Sequence, residues 1–308
     1  ADVPYTEANR FSVDGTRYPK FDKGQDIYPD LIKQLDSAII DLTATDGNSI
    51  VPSAGDDLFY GAIGGDAESI AAAWVKLANT LKLKLYNQMR LVSNVSAEVN
   101  ALIAGGEIFS KLQDGFMMRY GKAASPDDRN PGFSEYFATQ KSHYQSPWFY
   151  EILKGYNPRI FTGIKDPRVP YYFFNQNSAT GASVGKGTDY RDSAFISILF
   201  GSTGPNRDRS QDGSMTVFGI YPVGGRYDDG TPTIVTSASG TGAAPLRLLT
   251  YADVLYIKAE LINAGVISGD AKATLKQAIY ASFAQVDYVV GLANAGQSVP
   301  PLVGGPDT

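Results

Sequence analysis

A mainly helical fold interrupted by a long, loop-rich middle is predicted by three features of the sequence. Apolar residues recur at three-and-four spacing near both ends of the chain, Pro and Gly recur every few residues from about 105 to 245, and the β-compatible runs between them are short. With 308 residues and 43% apolar content, the chain can bury one large core or two modest ones. The expected organisation is one domain, residues 1–308. It has a helical part at about 20–104, a loop-rich part at 105–245, a helical hairpin at 246–290 and a tail at 291–308.

Ile27, Leu31, Leu35, Ile39 and Leu42 form the stripe of an amphipathic helix, and the turn residues from Thr43 to Asn48 end it. A longer stripe through Trp74, Leu77, Leu81, Leu85 and Met89 predicts a helix from about Ala67 to Leu91. Residues Ser96 to Ala104 form a short helix capped by Ser96 and stopped by Gly105 and Gly106. In the middle, 116–120, 170–174 and 215–220 read as small strands, and 142–154 as a helix with Pro147 at its start. Helical spacing returns at Tyr251–Asn263, with Thr250 as N-cap, and again from Ala271 to about Val290. A short Gly-containing turn joins the two into a hairpin. The Gly/Pro-rich tail ends without a stop signal, so the chain is expected to be cut at both ends.

Several function classes are excluded. Lys and Arg number 27 against 32 Asp and Glu, with no run of like charge, so no nucleic-acid surface is expected. There are no cysteines, which removes disulfides, thiolate metal sites and cysteine nucleophiles. No stretch approaches the roughly 20 apolar residues of a membrane span, and the first residues carry no signal-peptide pattern.

Catalytic constellations are poor. His143 is the single histidine, and no Gly-x-Ser-x-Gly elbow accompanies it. The acid pairs Asp56-Asp57, Asp127-Asp128 and Asp228-Asp229 could supply glycosidase carboxylates, but adjacent residues point apart and solvated loop carboxylates are the default. Residues 181–188 (GASVGKGT) are one residue short of a phosphate loop and lack its Ser or Thr after the lysine. Asn206, Asp208, Ser210 and Asp212 alternate oxygen-bearing side chains that could wrap a calcium ion, although no glycine or closing glutamate completes an EF-hand. No other cofactor is implied.

Three stretches carry a family resemblance. The first runs Asp56-Asp57-Leu58-Phe59-Tyr60-Gly61, then Gly65-Asp66, then Trp74-Val75-Lys76-Leu77-Ala78-Asn79 with alternating leucines and lysines to Leu85. The second is Asp166-Pro167-Arg168, and the third runs from Pro245-Leu246-Arg247 through Tyr251-Ala252-Asp253-Val254-Leu255 to Glu260, continuing with Gly269-Asp270-Ala271 and Ala278 to Ser282. Their order and separation resemble the SusD/RagB family, in particular its SusD-like branch from Bacteroidota. The resemblance implies a tetratricopeptide-like helical-repeat superhelix with an irregular insertion shaping the ligand face and minor β structure. It implies a lipidated N-terminal cysteine, absent from this chain together with the first family helices, exposure on the outer membrane surface, and a SusC-like TonB-dependent transporter as partner. The expected function is non-catalytic capture of oligosaccharide, or of peptide or another nutrient, for import. A glycoside hydrolase on a helical scaffold and a helical-repeat protein adaptor are the alternatives.

Family signatures of this kind report the scaffold, whereas ligand residues sit on variable loops. Trp74, on a helical stripe, is therefore read as core. The chain holds 19 Tyr, 15 Phe and 2 Trp, and sugar rings dock on aromatic faces beside amides and hydroxyls. The cluster Tyr144-Gln145-Ser146-Pro147-Trp148-Phe149-Tyr150 offers both, so Trp148, Tyr150 and Tyr144 are the expected ligand contacts.

Overall fold

The computed structural model describes residues 2–45, 53–138, 143–178, 190–203 and 213–304. In chain order the helices are α1 (Phe11–Asp14), α2 (Gly24–Thr43), α3 (Ala67–Met89), α4 (Ser96–Gly105), α5 (Pro131–Phe133), α6 (Pro147–Leu153), α7 (Val169–Tyr172), α8 (Ile220–Val223), α9 (Tyr251–Asn263) and α10 (Ala271–Ala293). The strands are β1 (Phe116–Met118), β2 (Phe173–Phe174), β3 (Tyr190–Asp192), β4 (Phe195–Ser197), β5 (Val217–Phe218) and β6 (Leu246–Leu249). Two compact units are present, one of residues 1–116 and 249–278, the other of 117–248 and 279–308.

In the first unit α3 is the spine. Its N-terminus is set by Asp66, whose carboxylate accepts the Ser69 N–H at 2.9 Å. Gly65 precedes it at φ 128°, where a Cβ would lie 2.9 Å from that of Ser69, so the Gly65-Asp66 pair is a backbone requirement. Leu77 and Leu83 of α3 join Val99 of α4 and Val254 and Leu261 of α9 in one buried cluster. Polar ties add register, because Asn87 Nδ2 donates to Glu260 Oε2 at 2.8 Å and Arg90 pairs with the same carboxylate. Trp74 is half-buried at this core's edge, as its stripe position predicts. Its ring meets Phe59, Tyr60 and Phe116, and its Nε1 donates to Asp57 Oδ2 at 2.8 Å.

The second unit is held by short elements. Asn130 caps α5 by accepting the Gly132 N–H and donates to the Ala244 carbonyl, both at 2.8 Å. β2 pairs antiparallel with β5, and β3 with β4. The end of α10 buries Val286, Val289 and Ala293 with Tyr171 and Ile220.

Several expectations need correction. Residues 170–172 form a helical turn and only Phe173–Phe174 is strand, because Pro170 lacks an N–H and its fixed φ suits a helix start. Ser96 is not a cap; it is the first helical residue, and Asn94 accepts its N–H. At 215–220 the strand is limited to Val217–Phe218, because Ile220 opens a helical turn. The 142–154 helix begins only at Pro147, in its expected first position. Both helices of the expected hairpin form; α9 packs with α3 in the first unit, which also takes α10 up to Ala278, and the rest of α10 belongs to the second unit. The tail is also pinned, since Leu302 is buried and Asp287 accepts the N–H groups of Leu302 and Val303.

Thr250 caps α9 as predicted, in a reciprocal box in which its hydroxyl and the Asp253 carboxylate each accept the other's backbone N–H. Thr250→Ala is expected to lower unfolding free energy by about 1 kcal/mol, seen as a lower denaturant midpoint at unchanged slope, and Thr250→Ser to restore most of it.

Candidate functional site: an aromatic shelf on α6

The aromatic cluster lies in the second unit, on the extended residues 143–146 and on α6. Pro147 occupies the first turn, where a missing N–H costs nothing, and it fixes where the helix starts. From there the helical period decides the fate of each ring. Pro147, Tyr150 and Leu153, three residues apart, are buried. Trp148 therefore points outward, at 60% exposure, while Tyr150 is 4% exposed.

Tyr150 stacks on Phe195 of β4 with ring centroids 3.8 Å apart and an interplanar angle of 15°, and meets Phe173 edge-on at 5.7 Å. Its hydroxyl donates to Asp192 Oδ2 at 2.7 Å, and Tyr156 Oη donates to the same oxygen at 3.2 Å. Lys154 Nζ sits 3.3 Å from that oxygen and over both tyrosine rings. Burial pushes the Tyr150 hydroxyl up, and its bond to Asp192 pushes it the same way. Burial alone would raise Asp192 too, but the Tyr150 hydrogen bond and the Lys154 charge outweigh it and hold the carboxyl below its usual range. The expectation that Tyr150 contacts ligand is thus corrected, because its ring is covered by the core.

The other two nominated residues do come together. Tyr144 and Trp148 line a hollow of about 430 Å³ whose opposite wall is the segment following β4, residues 198–202. Its volume suits a small-molecule site. Phe200 on that wall is 94% exposed and Leu199 42%; sequence reasoning missed both, because nothing in a short apolar run says which side of it faces solvent. Ser197 Oγ donates to the Gln145 carbonyl and ties the two walls. The Gln145 side chain is buried. Burial pushes the Tyr136 hydroxyl up, and hydrogen bonding from the Gln145 side chain works against that rise. No Asp, Glu, Lys or Arg is among the described lining residues, which include His143. Such a surface can stack on a sugar ring and bond its hydroxyls, and it presents no carboxylate pair for glycosidic cleavage.

The acid pairs are engaged elsewhere. Asp57 accepts the Phe59 and Tyr60 N–H groups, Asp127 holds Arg129 through two side-chain bonds, and Asp229 accepts the Thr231 N–H. Asp228 is bonded by Asn175 Nδ2 at 2.7 Å, and burial raises its pKa. In the Asp166-Pro167-Arg168 motif, Arg168 pairs with Asp166 and covers the Phe283 ring at 4.8 Å. The calcium candidates Asn206, Asp208, Ser210 and Asp212 and the 181–188 segment lie outside the described residues. Among the described residues no helix is long and apolar enough to cross a membrane.

A family model described as starch-binding, associating with outer membrane, matches residues 1–295. The chain belongs to the SusD-like family. Among solved structures, a chitin-binding protein is similar at 23% identity and TM-score 0.56, covering 96% of this chain and 54% of its own. A SusD homolog from Bacteroides uniformis is similar at 18% identity and TM-score 0.59, with 97% and 52% covered. A chitin-binding SusD homolog from Flavobacterium johnsoniae gives 18% and 0.60, with 93% and 48% covered. No curated protein sequence matches. These likenesses establish the mainly helical, tetratricopeptide-like fold, and the chain spans about half the length of these structures.

Because the folded pKa of Asp192 lies below its unfolded value, the cluster's contribution is full above the usual carboxylate range and fades as pH falls through the lowered value. Asp192→Asn is therefore expected to destabilise most at neutral pH and least in acid, measured by denaturant unfolding across pH. Tyr150→Phe is expected to cost about 1–3 kcal/mol in the same assay.

Proposed function

We propose that this SusD-like chain is a non-catalytic binding protein that captures an uncharged oligosaccharide on the Trp148 shelf and delivers it to a SusC-like TonB-dependent transporter. The observation that carries the reading is the exposed Trp148 ring, held by α6 beside a hollow whose described lining residues include no Asp, Glu, Lys or Arg. An exposed indole offers a flat apolar face, and the apolar C–H face of a pyranose fits it. Relatives described as chitin-binding and the starch-binding family description support a glycan ligand. The outer membrane named by the family description supports the location, with a lipid anchor on the full-length protein holding it at the cell surface.

Affinity electrophoresis and calorimetry with neutral chitin and starch oligosaccharides test this. Trp148→Ala is expected to weaken binding about tenfold or more at unchanged stability, since an aromatic stack and its buried area are both lost. No reducing sugar should be released. Turnover abolished by one carboxylate substitution would overturn the non-catalytic reading, and undiminished affinity in Trp148→Ala would overturn the shelf.

A further inference from the structure

Residues 155–165, which follow α6, form a closed and internally braced loop. Gly163 N–H donates to the Gly155 carbonyl at 2.8 Å, and Asp166 N–H to the Leu153 carbonyl at 2.7 Å. Inside it, Asn157 Oδ1 accepts the N–H groups of Arg159 and Ile160, and Thr162 Oγ donates to the Asn157 carbonyl. Gly155 has φ 73°, and a Cβ there would stand 2.7 Å from the Ile164 nitrogen, so the loop's base admits no side chain. This frame holds apolar side chains in water: Phe161 is 70% exposed, Ile164 64% and Ile160 41%. Phe161 does so at φ 49°, a left-handed conformation that a bulky residue rarely adopts.

The charges around this tip are one-sided. Arg159 and Lys165 are exposed, neither has an ion-pair partner among the described residues, and no carboxylate occurs from 152 to 165 in a chain of net charge -5. A sugar would call for free amides or carboxylates beside an aromatic face. This loop turns its one amide inward and offers aliphatic Ile160 and Ile164 instead. Apolar tips flanked by unpaired cations match the boundary between phosphate headgroups and acyl chains. We propose that the 155–165 loop inserts into an anionic lipid surface, with Phe161, Ile160 and Ile164 below the headgroups and Arg159 and Lys165 on the phosphates. This contact is independent of the glycan shelf.

Co-sedimentation of the chain with phosphatidylglycerol-containing vesicles, against vesicles of phosphatidylcholine alone, tests it. Binding is expected only to the anionic vesicles and should fall with added salt. Arg159→Gln with Lys165→Gln should weaken it about thirtyfold, at about 1 kcal/mol per cation. Phe161→Asn with Ile164→Thr should weaken it about tenfold or more, asparagine being tolerant of the left-handed backbone. Trp148→Ala should bind vesicles as the unaltered chain does, whatever its glycan affinity. The two cations are exposed and make no ion pair among the described residues, so their variant reads the contact even if the apolar one fails to fold. Absence of anionic-vesicle binding, equal binding to neutral vesicles, or unchanged binding in the cation variant would overturn the proposal. So would loss of glycan affinity in the loop variants with vesicle binding intact.

Discussion

The stacking of Tyr150 on Phe195 fixes the rotation of α6 about its own axis, and the rest of the site follows from that rotation. With Tyr150 inward and its hydroxyl bonded to Asp192, the neighbours at 147 and 153 go inward as well, and 148 goes out. The helix is only seven residues long, too short to be stable by itself, so its existence depends on this packing. The same Asp192 receives Tyr156 and Lys154, which lock the helix's last turn and the start of the loop beyond it. One buried ring thus positions an exposed indole on one side and a braced loop on the other.

The residues that carry the family resemblance serve a different purpose. Asp57 and Trp74 bond each other at the edge of the first unit's core, Glu260 is bonded by Asn87 and Arg90, and Arg168 pairs with Asp166 over Phe283. These are ways of placing charged and polar groups against apolar packing without leaving them unpaired. They specify how helices meet and say nothing about ligand. Their spacing along the chain made the family readable.

The shelf is built from the opposite kind of residue. Trp148, Phe200 and Leu199 are exposed where burial would be favourable. A bound neutral ring would cover them. The lack of charge on the described lining fits a ligand recognised by stacking and hydroxyl bonds, and the lack of a paired acid fits capture without cleavage.

By itself the sequence determined the long helices and their ends. Amphipathic spacing over four or more turns is a local signal, and Asp66 and Thr250 close their caps within three residues. It also brought the aromatic cluster 144–150 forward as the ligand region, since stacking and hydrogen-bonding groups are visible as residue types. Trp148 and Tyr150 both lie in that cluster, although residues two apart on a helix point nearly opposite ways. Which one faces outward was decided by Phe195, 45 positions after Tyr150, and the far wall by Phe200, 52 positions after Trp148. Leu302 likewise enters a core that includes Tyr171 and Ile220, both more than 80 positions before it. Those outcomes rest on contacts between segments far apart in the chain, and such contacts leave no periodic trace in either segment alone.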